Sequence, residues 1–239
     1  MSSQPTTRVV VVGGGFGGQH AFRELADAGY DVSLVDAHPY ATFQPLLYQV
    51  ATGGLSPGDV TYPLRRFVIG RREGQTSYRR GTVTGIDRER KLVHVTPGDP
   101  IPYDRLVLAA GVGPGYFGIP GAAEHTRTIY SRAEALEVRD VIFSGLEELT
   151  VTPQSQRRFT VLIVGGGATG VEMAGSLAEL KSEGLPVMYP ELSLDNFRVV
   201  LAEMGPHLLA PFKPRLQRYT LAQLRRRGVD VRLNTAVRT

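Results

Sequence analysis

Short runs of β-branched apolar residues alternate along this chain with longer stretches in which apolar residues recur at helical spacing. The clearest runs are residues 9–12 and 159–164, and each is followed by a cluster of glycines. Helical stretches come next, at 19–28 after the first cluster and at 168–181 after the second. This order is typical of a buried parallel strand that turns directly into a helix. The pattern predicts an α/β fold with two Rossmann-like units.

Within the first unit, a strand at 30–35 is predicted to end at Asp36. Residues 37–52 form a loop that is too apolar for a simple linker, which indicates that another part of the protein packs on it. Residues 56–59 carry a proline early in a possible first turn and predict a helix start. Short alternating segments from 76 to 108 predict an antiparallel β excursion that returns to the parallel sheet at 105–111.

The second unit is predicted to follow a handover near residues 114–121, so that the domains are 1–121 and 122–239. Ser131 and Glu134 form a capping-box pattern that opens a helix reaching about residue 148. A polar loop at 150–158 then leads to the second glycine cluster. Three further elements are predicted after that cluster: a strand at 198–202 that ends at Glu203, a helix at 211–227 and a strand at 229–233.

The two glycine clusters have the form of dinucleotide-binding turns. The first glycine of such a turn allows a tight bend, the second lets the backbone approach a pyrophosphate, and the third lets the helix pack on the strand. The helix N-terminus then offers N–H groups and a positive dipole to the phosphates. A single motif of this kind is a weak signal, but its repetition in the same context predicts two bound dinucleotides. The glycines concerned are Gly13, Gly15, Gly17 and Gly18 in the first unit and Gly165, Gly167 and Gly170 in the second.

An acidic residue follows each glycine turn at the end of a later strand. Asp36 follows Gly13 at about the 20-residue spacing that is typical of dinucleotide-binding units. A carboxylate at this position can accept hydrogen bonds from the hydroxyl groups of an adenosine ribose. The structural alternative is that Asp36 merely caps a turn. Glu203 stands 38 residues after Gly165, because residues 182–197 form a long connection with two prolines. An insertion between helix and strand does not move the end of the strand, so Glu203 is assigned the same role.

The composition limits the chemistry that this chain can perform by itself. Its 239 residues carry a net charge of +4 and contain no cysteine, which excludes a disulfide framework, a redox-active CxxC pair, thiolate zinc sites and iron–sulfur ligation. The five histidines have no mutual spacing suited to a metal ion, so no metal site is predicted. Any redox chemistry therefore belongs to a bound organic cofactor.

Charge and hydropathy indicate a cytoplasmic protein. No apolar stretch reaches the roughly 18 residues of a membrane-spanning helix, and the N-terminus lacks the layout of a secretory signal. The run of arginines at 225–227 is interpreted as a solvated helix face, with contact to anionic lipid or nucleic acid as the alternative.

Several longer segments resemble type II NADH dehydrogenases, the single-chain NADH:quinone oxidoreductases. The Pro-Leu-Leu-Tyr segment is far more specific than the glycine turns, and the resemblance runs along the whole chain. It implies a respiratory, non-proton-pumping oxidoreductase with FAD on the first unit, NADH on the second and a quinone as the electron acceptor. The segments that carry it are 42–53 continuing to 63–65, the strand at 106–111, and residues 170–175 and 206–209.

The resemblance also implies roles for individual residues. The first-unit glycines would contact the FAD diphosphate, Asp36 its ribose, and the backbone of Val83 its adenine. Gly111 would lie beside the flavin, in an Ala-Ala-Gly sequence where the family more often has Ala-Thr-Gly. In the second unit the glycines and Glu203 would bind NADH, and Glu172 would orient the nicotinamide over the flavin as the catalytic residue. The alternative for Glu172 is a carboxylate in the first helical turn, stabilised by the helix dipole.

By the same resemblance, a returning FAD-binding strand, the quinone site and an amphipathic membrane anchor would all come after Thr239. The chain would then be roughly the N-terminal 60% of such an enzyme, which as a whole would lie peripherally on the cytoplasmic face of a membrane. A fragment of this kind is expected to hold FAD weakly. Its exposed sheet edges favour self-association into a homo-oligomer.

Three other functions are alternatives to this resemblance. Sulfide:quinone oxidoreductases and dithiol reductases share the two-unit plan, but their chemistry uses cysteine thiolates, which this chain lacks. A NAD(P)H-dependent reductase of ferredoxin or rubredoxin remains open, although the Pro-Leu-Leu-Tyr segment argues against it. The third is a nucleotide-binding module without turnover. Nucleic acid is not expected as a partner.

Overall fold

The computed structural model describes residues 6–69, 75–151 and 158–238, and the chain divides into two compact units. The first unit consists of Met1–Phe43 and Thr61–Gly113, and the second of Gln44–Val60 and Pro114–Thr239. Both units are therefore discontinuous in sequence. The segment Gln44–Val60, which the sequence places inside the first domain, belongs to the second compact unit.

A four-stranded parallel sheet forms the centre of the first unit. Its register is continuous from Arg8 opposite Asp31 to Val12 opposite Val35, and the valines of the first strand are all buried. Both faces of the sheet are covered at its first strand, which accordingly carries four consecutive valines. In spatial order, the strands are β5 (Thr76–Arg80), β2 (Asp31–Asp36), β1 (Arg8–Val12) and β9 (Arg105–Leu108).

The two faces of this sheet are covered by different structures. Helices α1 (Phe16–Asp27) and α3 (Leu64–Val68) cover one face, where Phe22 and Leu64 are fully buried. On the other face, an antiparallel sheet packs against Val10 and Val12. That sheet is the predicted β excursion, and β9 confirms the predicted return to the parallel sheet. Its strands are β6 (Thr82–Asp87), β7 (Leu92–Thr96) and β8 (Ile101–Pro102), and a separate antiparallel pair is formed by β3 (Tyr40–Thr42) and β4 (Thr61–Pro63).

The second unit repeats the parallel-strand plan and adds helices. The capping box at its first long helix is present, with the Ser131 hydroxyl accepting from the Glu134 N–H and the Glu134 carboxylate accepting from the Ser131 N–H. Its parallel strands, in spatial order, are β10 (Phe159–Val164), β11 (Phe197–Ala202) and β12 (Asp230–Arg232). Its helices are α2 (Leu47–Ala51), α4 (Ala122–His125), α5 (Arg132–Thr150), α6 (Ala168–Glu179), α7 (Leu185–Met188) and α8 (Pro214–Arg226).

Helix α2 is part of the core of the second unit. Leu47, Val50 and Ala51 have no exposed surface and contact the apolar cluster that also contains residues of α5 and α6. The hydroxyl of Thr52, just after α2, lies 2.6 Å from that of Ser176 in α6. The apolar loop of the sequence thus packs on another element, as predicted, and that element lies more than a hundred residues further along the chain.

Several predicted boundaries were wrong. Residues 56–59 form a turn and not a helix start, because Asp59 binds back to Ser56: its N–H donates to the Ser56 carbonyl and its carboxylate accepts from the Ser56 N–H. The helix predicted to end near 181 continues through one π turn (Leu180–Gly184) into α7. Pro186 lies in the first turn of α7, directly after the π turn.

Helix α8 begins at Pro214 and not at 211, and α1 begins three residues before the predicted start. The predicted polar loop at 150–158 lies mostly outside the described residues. Among the helices of the described part, none has both the length and the apolar character needed to cross a membrane.

Candidate functional site

The first glycine of each turn has a backbone conformation that other residues rarely adopt. Gly13 has a φ of +100° and Gly165 a φ of +103°. The Gly13 N–H donates to Val35 and the Gly165 N–H to Ala202, at 2.8 Å in both cases. A Cβ atom on Gly13 would also stand 2.2 Å from the carbonyl oxygen of Ala109. Both turns therefore bend sharply at the end of the strand that precedes them, as the motif requires.

The third glycine allows the helix to pack directly on the turn. A Cβ on Gly18 would lie 1.7 Å from the Gly13 carbonyl oxygen, and one on Gly170 would lie 2.0 Å from the Gly165 carbonyl oxygen. Real Cβ atoms do not come this close to an oxygen, so each position accepts only glycine. The same contact in both units shows that the two turns have the same construction.

The second glycine and the start of the helix face open space. A Cβ on Gly15 or Gly167 would meet no atom within 4 Å, and Gly17 has only the Ala109 methyl group at 3.9 Å. Helices α1 and α6 begin without a side-chain cap and without an acidic residue in the first turn, whereas α5 has a full capping box. Their first N–H groups thus keep hydrogen-bonding capacity for an anion, and the geometry fits a pyrophosphate.

The acidic residue at the end of the next strand braces each turn. One Asp36 oxygen accepts from the Gly14 N–H at 2.6 Å, and one Glu203 oxygen accepts from the Gly166 N–H at the same distance. The second oxygen of Glu203 accepts from the Gly205 N–H, also at 2.6 Å. Each carboxylate therefore lies beside its glycine turn, and the longer connection before Glu203 has not displaced the strand end.

Asp36 also performs the structural role considered as an alternative, because its second oxygen accepts from the His38 N–H at 2.7 Å. The two roles are compatible. An ionised carboxylate offers about four lone-pair positions, of which these two N–H groups use two. The side chain remains 19% exposed, which leaves acceptor capacity for the hydroxyl groups of a ribose.

The middle glycine of each turn was not recognised as a functional residue from the sequence. A Cβ on Gly14 would lie 2.5 Å from Leu64, and a Cβ on Gly166 would lie 2.5 Å from Leu208. The added atom would also crowd the carboxylate that the glycine N–H binds. The available signal was the Gly-Gly-Gly sequence in both turns, where the general motif requires glycine only at the outer positions.

The two remaining first-unit residues lie near the ends of strands. Val83 is half-buried in β6 and opposite Val95, close to a register shift in that strand pair. The N–H of Gly81, two residues before Val83, donates to the carbonyl oxygen of Asp36. This hydrogen bond brings the start of β6 close in space to the end of β2. Gly111 follows β9 and has a φ of +78°. An added Cβ atom would meet no atom within 4 Å, so glycine is favoured here by the backbone conformation and not by crowding.

Glu172 does not lie where the sequence predicted. It is the fifth residue of α6, so it stands in the second turn and not the first, and its side chain is exposed. Partial burial raises the pKa of the Glu172 carboxyl group. A helix N-terminus acts on this pKa in the opposite direction, because it stabilises the ionised form, and its effect is confined to about the first turn.

A comparison with family models identifies the class of protein to which this arrangement corresponds. The model for pyridine nucleotide-disulphide oxidoreductases matches residues 7–239. The chain belongs to this family. Its doubled glycine turns and parallel sheets confirm the predicted fold class, and its membership also agrees with two predicted nucleotide sites in one chain.

Within the pyridine nucleotide-disulphide oxidoreductases, this chain is similar to two curated enzymes of Mycobacterium tuberculosis. It is 37% identical to the type II NADH:quinone oxidoreductase Ndh over 96% of its length and 36% identical to NdhA, also over 96%. Its structure resembles NDH2 of Plasmodium falciparum in complex with NADH, with a TM-score of 0.84 at 25% identity over 96% of this chain and 48% of that one.

These similarities confirm the resemblance inferred from the sequence. The chain spans about half the length of both mycobacterial proteins, somewhat less than the share expected from the sequence.

Proposed function

We propose that this chain forms the FAD-binding and NADH-binding part of a type II NADH:quinone oxidoreductase. The observation that carries the proposal is the presence, in each unit, of a glycine turn whose middle N–H is bound by a strand-end carboxylate. Such a turn with its carboxylate is suited to the diphosphate and ribose of one dinucleotide. Two of them in one chain suit an enzyme that passes a hydride from one dinucleotide to another.

The first unit is assigned to FAD and the second to NADH. In the second unit, Glu203 is followed by Met204 and Gly205, so the residues next to the carboxylate offer no cation for the 2′-phosphate of NADPH. An ionised carboxylate repels that phosphate and accepts hydrogen bonds from the ribose hydroxyls of NADH. The similar mycobacterial proteins are named as NADH:quinone oxidoreductases, which supports the same assignment.

A bound flavin would supply the redox chemistry, which is the transfer of reducing equivalents from NADH to a quinone. The residues of the chain bind and orient the reactants. The first-turn N–H groups of α1 and α6 bind the diphosphates, and Asp36 and Glu203 fix the ribose rings. Glu172 accepts a hydrogen bond from the carboxamide of the nicotinamide and so orients the ring that donates the hydride.

The role of Glu172 is tested with Glu172→Gln in the complete enzyme. Gln keeps the shape of the side chain but loses its charge, so it orients the nicotinamide less strongly. We expect slower reduction of the flavin by NADH in stopped-flow measurements, with the free energy of unfolding unchanged within about 1 kcal/mol. Glu179→Gln, at the far end of the same helix, is the matched control and should leave the rate unchanged. A normal rate combined with a lowered melting temperature would rule out this role.

The electron acceptor is tested by measuring NADH oxidation with a soluble quinone and, separately, with ferredoxin or rubredoxin. The proposal predicts a purified enzyme with the visible absorption spectrum of a flavin and turnover with the quinone alone. Turnover with the iron–sulfur proteins would favour the reductase alternative. NADH binding without flavin absorbance would indicate a nucleotide-binding module. Location on the cytoplasmic face of a membrane and assembly into a homo-oligomer are further parts of the proposal, and fractionation and sedimentation test them.

A further inference from the structure

The positive charge of this chain is concentrated in one stretch, residues 206–229, which we call the basic segment. It contains six lysine and arginine residues and no aspartate or glutamate. The rest of the chain has 21 basic residues and 23 acidic ones, so the net charge of +4 comes from the basic segment alone. The six cationic residues are Lys213, Arg215, Arg218, Arg225, Arg226 and Arg227.

These six side chains are exposed and carry uncompensated charge. Within residues 6–69, 75–151 and 158–238, none of them forms an ion pair, and the only neighbour of Arg226 at hydrogen-bonding distance is the neutral Gln223. By contrast, Arg198 and Arg232 in the same unit both pair with Asp230. A cluster of unpaired cations produces a positive potential that attracts an anionic surface.

Helix α8 places two of these charges, Arg215 and Arg226, on its outer side together with apolar groups. Gln217 and Leu224 are buried, which fixes the inner side of the helix. Arg215, Tyr219 and Arg226 recur at helical spacing on the opposite side. The side chains of Tyr219, Leu216 and Phe212 are 61%, 47% and 47% exposed. Exposed aromatic and aliphatic groups beside arginines are typical of helices that lie in the interface of a membrane.

We propose that the outer face of α8 docks on an anionic lipid surface. The arginines bind phosphate groups of the lipids, while Phe212, Leu216 and Tyr219 leave water for the apolar part of the interface. Nucleic acid offers the same phosphates, but it gives an aliphatic side chain such as Leu216 no apolar phase to enter. This contact is separate from the membrane anchor that the resemblance assigns to residues beyond Thr239.

The first test measures binding of the 239-residue chain to vesicles of phosphatidylcholine with and without phosphatidylglycerol. We expect binding only to the anionic vesicles. The triple variant R215Q/R218Q/R226Q should bind them roughly 100-fold more weakly, because each cation near such a surface contributes about fivefold. The matched control R88Q/R90Q/K91Q removes the same charge from the exposed turn between β6 and β7 and should bind like the unmodified chain.

The second test places a reporter on the proposed contact. The chain has no tryptophan, so Tyr219→Trp introduces a single one on the outer face of α8. Its emission should shift to shorter wavelength when anionic vesicles are added, whereas a Tyr30→Trp variant in the first unit should show no shift. Neither test requires a bound cofactor or turnover, so the outcome is independent of the enzymatic function.

Four results would overturn the proposal. The first is that the chain does not bind anionic vesicles, and the second is that both triple variants lose binding equally. The third is that the emission of a tryptophan at position 219 does not shift. The fourth is that an oligonucleotide at equal phosphate concentration displaces the chain from the vesicles. The last result would assign the basic segment to nucleic acid.

Discussion

Asp36 and Glu203 form the same contact with side chains of different length. Each accepts the N–H of the middle glycine in its turn at 2.6 Å. Glutamate has one more methylene group than aspartate, and its second oxygen reaches Gly205 on its own loop, whereas that of Asp36 reaches His38. The carboxylate therefore holds the turn in shape before any nucleotide binds, which reduces the ordering cost of binding.

Glu203→Gln should weaken NADH binding and reduce the preference for NADH over NADPH. The amide accepts only through its oxygen, so one of the two glycine N–H groups loses its acceptor and the other keeps only a neutral one; each charge-assisted bond contributes about 1.5 to 3 kcal/mol. Loss of the negative charge also removes the repulsion of a 2′-phosphate. The measurement is the ratio of the two dissociation constants by titration. Asp36→Asn, the equivalent change in the first unit, should leave this ratio unchanged, and an unaltered ratio in Glu203→Gln would disprove the assignment.

At the residue scale, the sequence predicts contacts whose requirement is local. The outer glycines of both turns were identified because their constraint arises within a few residues, between Gly13 and Gly18 or between Gly165 and Gly170. The middle glycines were missed because the side chains that exclude a Cβ, Leu64 and Leu208, lie about 40 to 50 residues away along the chain. Such a constraint is visible only once the tertiary contacts are known.

At the scale of elements, one side-chain contact links the end of α7 to α5. The hydroxyl of Tyr189, just after α7, donates to the carboxylate of Glu147 at 2.9 Å, and the tyrosine side chain is buried. Burial, with a smaller contribution from Glu147, raises the pKa of Tyr189 to about 12. The folded protein thus favours the neutral hydroxyl more strongly than the unfolded chain does.

Stability should therefore fall at alkaline pH through this residue. The folded pKa of Tyr189 is raised, so its contribution is fully present below the unfolded value of about 10 and is lost as the pH rises through about 12. The loss is at most about 2.7 kcal/mol for a shift of two units. Urea unfolding across this range should show that Tyr189→Phe lacks the alkaline step. Tyr219→Phe, which changes an exposed tyrosine, should keep it; a step of equal size in Tyr189→Phe would refute the assignment.

The elements that could be predicted are those with their own local signals. The strand at 159–164 was identified with its exact bounds, and the capping box of Ser131 and Glu134 was identified from four consecutive residues. The prediction of a helix start at 56–59 was wrong because Asp59, two residues beyond the proline, hydrogen-bonds to Ser56 and closes a turn instead. The extent of the helix after Gly167 was underestimated because a π turn carries it past the expected end.

At the scale of the molecule, the segment Gln44–Val60 connects two parts of the sequence of the first unit but packs in the core of the second. Its apolar composition indicated that another part of the protein packs on it. The sequence could not identify the partner, because Thr52 and Ser176 are 124 positions apart and neither side has a pattern that selects the other.

The discontinuous units predict different effects for two equivalent core substitutions. Leu47 and Leu34 are both fully buried, the first in the core of the second unit and the second in the core of the first unit. Either Leu→Ala change should cost about 2 to 5 kcal/mol in free energy of unfolding. By hydrogen exchange with mass spectrometry, Leu47→Ala should reduce protection mainly in α5 and α6, and Leu34→Ala mainly in β1 and β2. Loss of protection in the first unit alone for Leu47→Ala would contradict the assignment of α2.

The same arrangement sets an order for folding during synthesis. The four described strands of the parallel sheet in the first unit have all been made once Leu108 is synthesised, but Leu47 and Val50 by then have neither α5 nor α6 to pack against. At roughly 5 to 20 residues per second, the 124 positions between Thr52 and Ser176 correspond to a wait of about 6 to 25 seconds. During this interval the apolar residues of this segment have no completed core to pack into. Residues 44–60 are therefore the segment that a chaperone acting at the ribosome would meet before the second unit exists.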